Sequence, residues 1–299
     1  MAKDIVKEDL PKVSDLCVKI IGSDYKDIER MGGLTNHTYH VTMADGAEYV
    51  VRIPGEGTED VIVRSDEKKS TELACRVGVD ARLLYFGDEG SKVTDYIKGA
   101  VTQSAESLKS DKRIRQVAEI FKKLHSCGED TGVPFEVFDM AQIYKKAIAD
   151  KNVAMFADWD SVEKQVMEIK AEVDKNNDIK KVPCHNDSLC ENWVADSDDR
   201  LYLIDWEYSG MNDFMWDLAD VSIEAVYNDD LDNKLLRAYF GRDVEKNEKK
   251  HFLASKIYVD YLWTLWAKMR VPYDGQDMED WAVERYNRMK TFIEDYKKL

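Results

Sequence analysis

No apolar run in this 299-residue chain approaches the roughly 20 residues needed to cross a bilayer. The opening MAKDIVKEDL also lacks the apolar core of a secretory signal, so no membrane insertion and a cytoplasmic location are expected. Cysteine is scarce and odd in number: Cys17, Cys75, Cys127, Cys184 and Cys190, with no Cys-x-x-Cys pair. Free thiols fit that pattern better than disulfides or zinc, and Cys184 and Cys190 are read as packing residues. Basic residues are short as well, 43 Lys and Arg against 59 Asp and Glu, for a formal charge of −16. Nucleic acids and anionic membranes both require a basic face, so neither is an expected partner. An acidic surface favours a cationic small molecule only weakly. What remains, 44% hydrophobic and 34% charged residues, is ordinary globular composition, long enough for two lobes with their own cores.

Most of the identifiable chemistry lies in one stretch, Val182 to Asp220, reading VPCHNDSLCENWVADSDDRLYLIDWEYSGMNDFMWDLAD. Two short apolar runs, Asn192–Ala195 and Leu201–Ile204, flank an Asp-rich turn and predict a β-hairpin. At its mouth stand Asp187, Asn192 and Asp205. A carboxylate that orients a hydroxyl and takes its proton, followed by an amide and a second carboxylate that hold magnesium on nucleotide phosphates, matches this order. Protein kinases use the same spacing from catalytic-loop Asp to Asn, with a metal-binding Asp after it. Any single Asp or Asn here could be a turn residue, and His185 a packed one; the ordered set points to phosphoryl transfer. Glu207, two residues after Asp205, is placed in or next to the metal shell.

Cys-His-Asn-Asp, then Glu-Asn, then Leu-Ile-Asp-Trp-Glu-Tyr-Ser-Gly-Met-Asn-Asp resembles the choline/ethanolamine kinases, especially their bacterial LicA-type branch. That family lies within the aminoglycoside phosphotransferase and choline kinase superfamily. The resemblance runs from about Glu29 to the C-terminus. It implies an α+β, bilobal protein-kinase-like fold, with a nucleotide-binding lobe over 1–97 and a mainly helical catalytic and substrate-binding lobe over 98–299. ATP and magnesium are the implied cofactors, and choline the implied cationic substrate. A homodimer is compatible with the sequence, which holds no argument for one.

Along the chain, Leu10 to Ile21 carries apolar residues at helical spacing. Alternating Tyr39, Val41, Met43 and Tyr49, Val51, Ile53 flank Ala44-Asp45-Gly46, which predicts a hairpin with an Asp-Gly turn. Gly32 and Gly33 then open a turn between the first two strands. The resemblance makes Gly33, Leu34, Thr35 and Asn36 the nucleotide loop. Arg52, on the third strand, stands where kinases carry a phosphate-binding Lys, and the resembled family commonly has Arg there. Its partner is expected to be Glu67, at the start of a helix over Glu67–Val77, rather than Glu72. Leu83–Phe86 and Ser91–Ile97 read as two further strands, and Asp95, Tyr96 and Ile97 resemble the hinge beside adenine.

Beyond Ala100 the pattern turns helical, with core stripes at Ile114, Val117, Ala118, Phe121, Leu124 and at Val162, Val166, Ile169, Val173. Lys175–Lys181 is read as a polar connection, and His125 and Asp217 as structural, Asp217 resembling the superfamily's brace of the catalytic loop. After Asp205 there is no Ala-Pro-Glu triplet and no long activation segment, which argues for a small-molecule rather than a protein substrate. The C-terminal third is rich in aromatics, core residues by default. The resemblance nevertheless assigns Trp263, Trp266 and Trp281, with Tyr208 and Glu224, to a choline pocket, and Tyr273 is grouped with them. A quaternary ammonium has no N–H to donate, so aromatic faces and a carboxylate are what hold it. Ethanolamine, thiamine and aminoglycosides stand as alternative substrates; a polyamine antibiotic would need more acidic groups than the single Glu224. A pseudokinase that only binds nucleotide or a cation is the alternative of another class, and the intact Asp187, Asn192 and Asp205 speak against it.

Overall fold

The computed structural model describes residues 5–32, 36–55 and 63–299. The chain packs as two compact units, Met1–Ser104 with Cys190–Ser209, and Ala105–Leu189 with Gly210–Leu299. This division differs from a boundary at 97/98 in where the Asp-rich hairpin goes. Strands Trp193–Ala195 and Leu201–Leu203 pair with each other, and Val101–Thr102 pairs with the first of them, so the hairpin joins the N-terminal unit.

In the first unit, helix α1 (Leu10–Leu16) precedes a five-stranded antiparallel sheet. Its strands are β1 (Tyr25–Gly32), β2 (Asn36–Met43), β3 (Glu48–Pro54), β4 (Leu83–Phe86) and β5 (Lys92–Asp95), in the order β1-β2-β3-β5-β4. Helix α2 (Arg64–Val77) lies between β3 and β4 in sequence. The period-two pattern does what it predicts: Tyr39, Val41, Met43, Val51, Ile53 and Val93 are buried in one cluster with Val13 and Cys17 of the N-terminal segment. Burying each such side chain contributes about 1.5–3 kcal/mol. The Asp45 carboxylate accepts the Ala47 N–H at 2.9 Å, and Gly46 takes φ +88°, which closes the β2–β3 turn. The last strand is shorter than Ser91–Ile97. It stops at Asp95, since the chain then turns, with the Ala100 N–H bonded to the Ile97 carbonyl.

The second unit is helical: α3 (Ala105–Leu108), α4 (Asp111–His125), α5 (Val137–Asp150), α6 (Trp159–Asn176), α7 (Phe214–Glu224), α8 (Asp229–Phe240), α9 (Lys246–Asp274) and α10 (Gln276–Lys298). The stripes expected on α4 and α6 are buried throughout. Helix α9 starts with a reciprocal capping box between Glu245 and Glu248, and α5, α6, α7 and α10 all pack on it. Among the described residues no helix is long and apolar enough to cross a membrane. A two-stranded ladder, Lys181–Cys184 with Gly210–Asp213, is the one sheet of this unit. Gly210 lets the chain at Val133 approach, because a Cβ there would lie 2.9 Å from the Val133 carbonyl oxygen.

Candidate active site

The candidate residues fall in both units. In the first, Asn192 ends a 3-10 turn, Cys190–Asn192, and its carbonyl accepts the Ile204 N–H at 2.9 Å. The hairpin thereby sets Asn192 across from the residue before Asp205. Asp205 itself takes φ +69°, a left-handed conformation rare outside glycine that turns the chain sharply after the strand.

On the sheet beside it, Arg52 Nη1 lies 2.5 Å from Glu67 Oε1 and 3.9 Å from Asp205 Oδ1, and Arg52 Nη2 donates to the Gly90 carbonyl at 2.9 Å. Glu67 is thus the helix partner of Arg52. Burial alone would raise the Glu67 carboxyl, but Arg52 and Lys92 outweigh it and hold the group below its ordinary value. Stranding either partner of so buried a pair costs about 3–5 kcal/mol. A residue the sequence reading missed completes this set. Arg64, one helical turn before Glu67, pairs with its other oxygen at 2.7 Å, reaches Asn36 Oδ1 at 3.4 Å and lies 4.0 Å from Glu207. Its i,i+3 spacing from Glu67 was the available signal. Asn36 also donates to Glu207 at 3.4 Å.

Glu207 is pushed up to about 7, first by burial and then by the carboxylates of Asp205 and Glu67. Two crowded carboxylates with a neighbouring amide are hard oxygen donors of the kind magnesium takes, and a divalent cation would relieve their repulsion. Asp205 and Glu207 are thus donors of the kind the implied metal takes, and the hairpin places Asn192 opposite the residue before Asp205.

In the second unit, Asp187 sits on a loop held from below by helix α7. The Asp213 carboxylate caps that helix by accepting the Met215 N–H at 3.0 Å. One turn on, Asp217 accepts the backbone N–H groups of His185 and Asn186, both at 2.8 Å, and Asp220 accepts that of Ser188. Asn186 takes φ +68°, its side chain is met by Asn212 at 2.9 Å, and its carbonyl accepts the Trp216 indole N–H at 3.1 Å. The residues flanking Asp187 are thus tied to α7 or to the strand before it, while the Asp187 N–H donates to His185 Nδ1 at 3.3 Å. Asp217 is a brace, and His125 is its support: Nε2 lies 2.9 Å from Asp217 and Nδ1 3.0 Å from the Tyr239 hydroxyl. His125, Cys184 and Asp217 form a compact buried trio, yet Asp217 is already engaged, and burial followed by the Asp217 and Asp213 charges pushes the Cys184 thiol well above its ordinary value. A thiol held protonated is a poor metal ligand. Structural roles for His125 and Asp217 and a packing role for Cys184 account for this trio.

Also in the second unit, the rings of Trp263 and Trp266 meet edge-to-face, centroids 6.0 Å apart, as do Trp266 and Trp281 at 5.8 Å. Trp263 is buried and the other two half-buried. Tyr273 does not join them; it is 64% exposed, with Arg270 and Lys151 over its ring. Helix α9 carries it a full turn and more beyond Trp266, to its exposed end. Glu224 ends α7 and is met by Arg285 Nη2 at 2.5 Å, so its charge does not stand alone among aromatics as the sequence suggested. Tyr208 belongs to the first unit and is half-buried. Of the residues expected at the hinge, Asp95 pairs with Arg82 at 2.8 Å and Tyr96 stacks on His40 at 4.0 Å, while Ile97 is half-buried. Gly33, Leu34 and Thr35 lie outside the described residues.

Comparison with known proteins gives a consistent result. The profile described as choline/ethanolamine kinase matches residues 28–261. Protein LicA of Haemophilus influenzae is 29% identical over 277 residues, covering 89% of this chain and 79% of that protein. A choline/ethanolamine kinase family protein from Mesorhizobium loti is 33% identical in structure-based comparison, covers 95% of this chain and 94% of its own, and superposes with a TM-score of 0.83. Choline kinase LicA from Streptococcus pneumoniae is 28% identical, with 96% and 99% covered and a TM-score of 0.79.

Proposed function

The chain belongs to the choline/ethanolamine kinase family, and within it we propose a choline kinase, which transfers the γ-phosphoryl group of ATP to the hydroxyl of choline. Asp187 accepts the hydroxyl proton as the choline oxygen forms its bond to the γ-phosphorus. The bond from that phosphorus to the β–γ bridging oxygen breaks, and phosphocholine and ADP leave. Asn192, Asp205 and Glu207 would hold magnesium, which when bound neutralises phosphate charge. Arg52, fixed by Glu67, is assigned to the phosphates, and Asn36 with the neighbouring residues 33–35 to the nucleotide loop. Asp95, Tyr96 and Ile97 are assigned to adenine through their backbone.

The observation that carries the substrate is the edge-to-face chain Trp263–Trp266–Trp281 on α9 and α10. Indole faces attract a quaternary ammonium through the ring quadrupole, by roughly 0.5–2 kcal/mol each, and the three methyl groups bury apolar surface against them. Replacing Trp263 or Trp266 by Leu keeps bulk and removes the quadrupole. Steady-state kinetics should then give a choline KM raised several-fold with the ATP KM nearly constant. An unchanged choline KM in both variants would make these tryptophans ordinary core.

A further inference from the structure

Arg285 on α10 is 2% exposed and closes a charge cluster beside the tryptophans. Its Nη2 lies 2.5 Å from Glu224 and its Nη1 3.1 Å from Asp260 of α9, while its guanidinium carbon sits 4.1 Å from the centroid of the Trp281 ring. Asp260, fully buried, is also gripped by Arg288 at 2.7 and 2.8 Å. Glu284 lies 3.6 Å from Arg288 as well, so two guanidiniums meet three carboxylates. The Nε–H of Arg285 finds no acceptor among the described residues, so a ring face and two charges, rather than a full set of hydrogen bonds, hold the group. An aromatic face with an adjacent carboxylate is the pair of features that recognises a substrate ammonium. Here a cation of the chain itself holds that pair.

We propose that Arg285 is a specificity-determining residue, which engages Glu224 and the Trp281 face and so withholds a carboxylate acceptor from the substrate's ammonium. Primary and quaternary ammonium groups differ in what they need. A primary ammonium gives up hydration on entry and must regain it as hydrogen bonds to acceptors, whereas a quaternary one needs only apolar and aromatic surface. With Glu224 held by Arg285, the faces of Trp263 and Trp266 dominate, and N-methylated substrates gain over primary amines. Asp220, one turn earlier on α7, does not replace the lost acceptor: it takes the Ser188 N–H, and burial, then Glu224 and Asp187, push it toward its neutral form.

The inference rests on the choline-kinase reading, and its test separates the two. The ratio of kcat/KM for choline to that for ethanolamine is measured in the full chain and in Arg285→Gln, Arg285→Lys, Glu224→Gln and the double variant Glu224→Gln/Arg285→Gln. In Arg285→Gln the released Glu224 carboxylate accepts from a primary ammonium, and the ratio falls about tenfold, the scale of one charge-assisted hydrogen bond. Arg285→Lys retains the charge and restores the ratio. Glu224→Gln raises both KM values by a similar factor through the uncompensated Arg285 charge and leaves the ratio near the parent value. The double variant, neutral at both positions, also keeps the parent ratio, and it carries the test should Arg285→Gln fail to fold. A parent ratio retained in a folded Arg285→Gln, or a ratio that collapses in the double variant, overturns the role of Arg285 alone. A parent protein that phosphorylates neither amino alcohol overturns the choline-kinase reading, and this inference with it.

Discussion

Asp187 and Asp205 are both carboxylates on loops that leave short strands, and each loop needs a non-glycine residue in the left-handed region, Asn186 in one and Asp205 itself in the other. Such residues cost roughly 1–3 kcal/mol and persist only where the surroundings over-determine them. Their proposed roles differ, so their variants should separate. Asp187→Asn removes the proton acceptor but no phosphate ligand; turnover should fall by at least about a hundredfold while ATP affinity, read by calorimetry, stays within a few-fold. Asp205→Ala should weaken ATP binding only in its magnesium-dependent part. Near-normal turnover in folded Asp187→Asn would remove the base from the mechanism. Asp80 makes a prediction about pH. Burial pushes its carboxyl up to about 6 from 3.8, with the Asp205 charge adding to the shift and Lys92 opposing it. The folded state thus binds this proton more tightly than the unfolded state. The stability it lends is full below about pH 4 and lost as pH rises through about 6, on the order of 3 kcal/mol in all. Urea unfolding of the parent and Asp80→Asn between pH 4 and 7 should show that slope in the parent and a shallower one in the variant; equal slopes would mean that Asp80 titrates normally.

Helix α7 is the element on which this loop rests, because Asp217 and Asp220, three residues apart, present acceptor oxygens on one face to the backbone N–H groups of His185, Asn186 and Ser188. Asp217→Asn should leave one of those buried N–H groups facing an amide NH2, at a cost of about 1–3 kcal/mol. Unfolding midpoints should fall accordingly, and kcat should fall more than the ATP KM rises; an unchanged midpoint would mean that water replaces the brace. The stripes of α4 and α6 and the β2–β3 hairpin were legible in the sequence, since each buries one periodic face. The ladder of Lys181–Cys184 with Gly210–Asp213 was not, because Lys-Val-Pro-Cys and Gly-Met-Asn-Asp carry neither period and the pairing spans a hairpin between them. Local spacing also singled out Asp187, Asn192 and Asp205 as candidates. Arg285 was invisible for the opposite reason: its partner Glu224 lies 61 positions away, and only the packing of both α10 and α7 on α9 brings them together. That Tyr273 is exposed was not legible either, because an aromatic-rich helix gives no sign of where its buried face ends.

For the molecule as a whole, a charge of −16 suits attraction of a small cation far better than a polyanion, although charge alone does not select among cations. In the proposed reading, selection falls to the tryptophan chain and to Arg285. The most direct measurement is therefore ADP release by the purified chain, with ATP and magnesium held constant, across choline, ethanolamine, thiamine and an aminoglycoside. The expected result is magnesium-dependent turnover with choline giving the highest kcat/KM, ethanolamine well below it, and little above background for the other two. Equal or greater activity on ethanolamine, or on an aminoglycoside, would contradict a choline kinase while leaving the chain a kinase of this family, and no ADP release with any of the four would contradict a phosphotransferase acting on these alcohols at all.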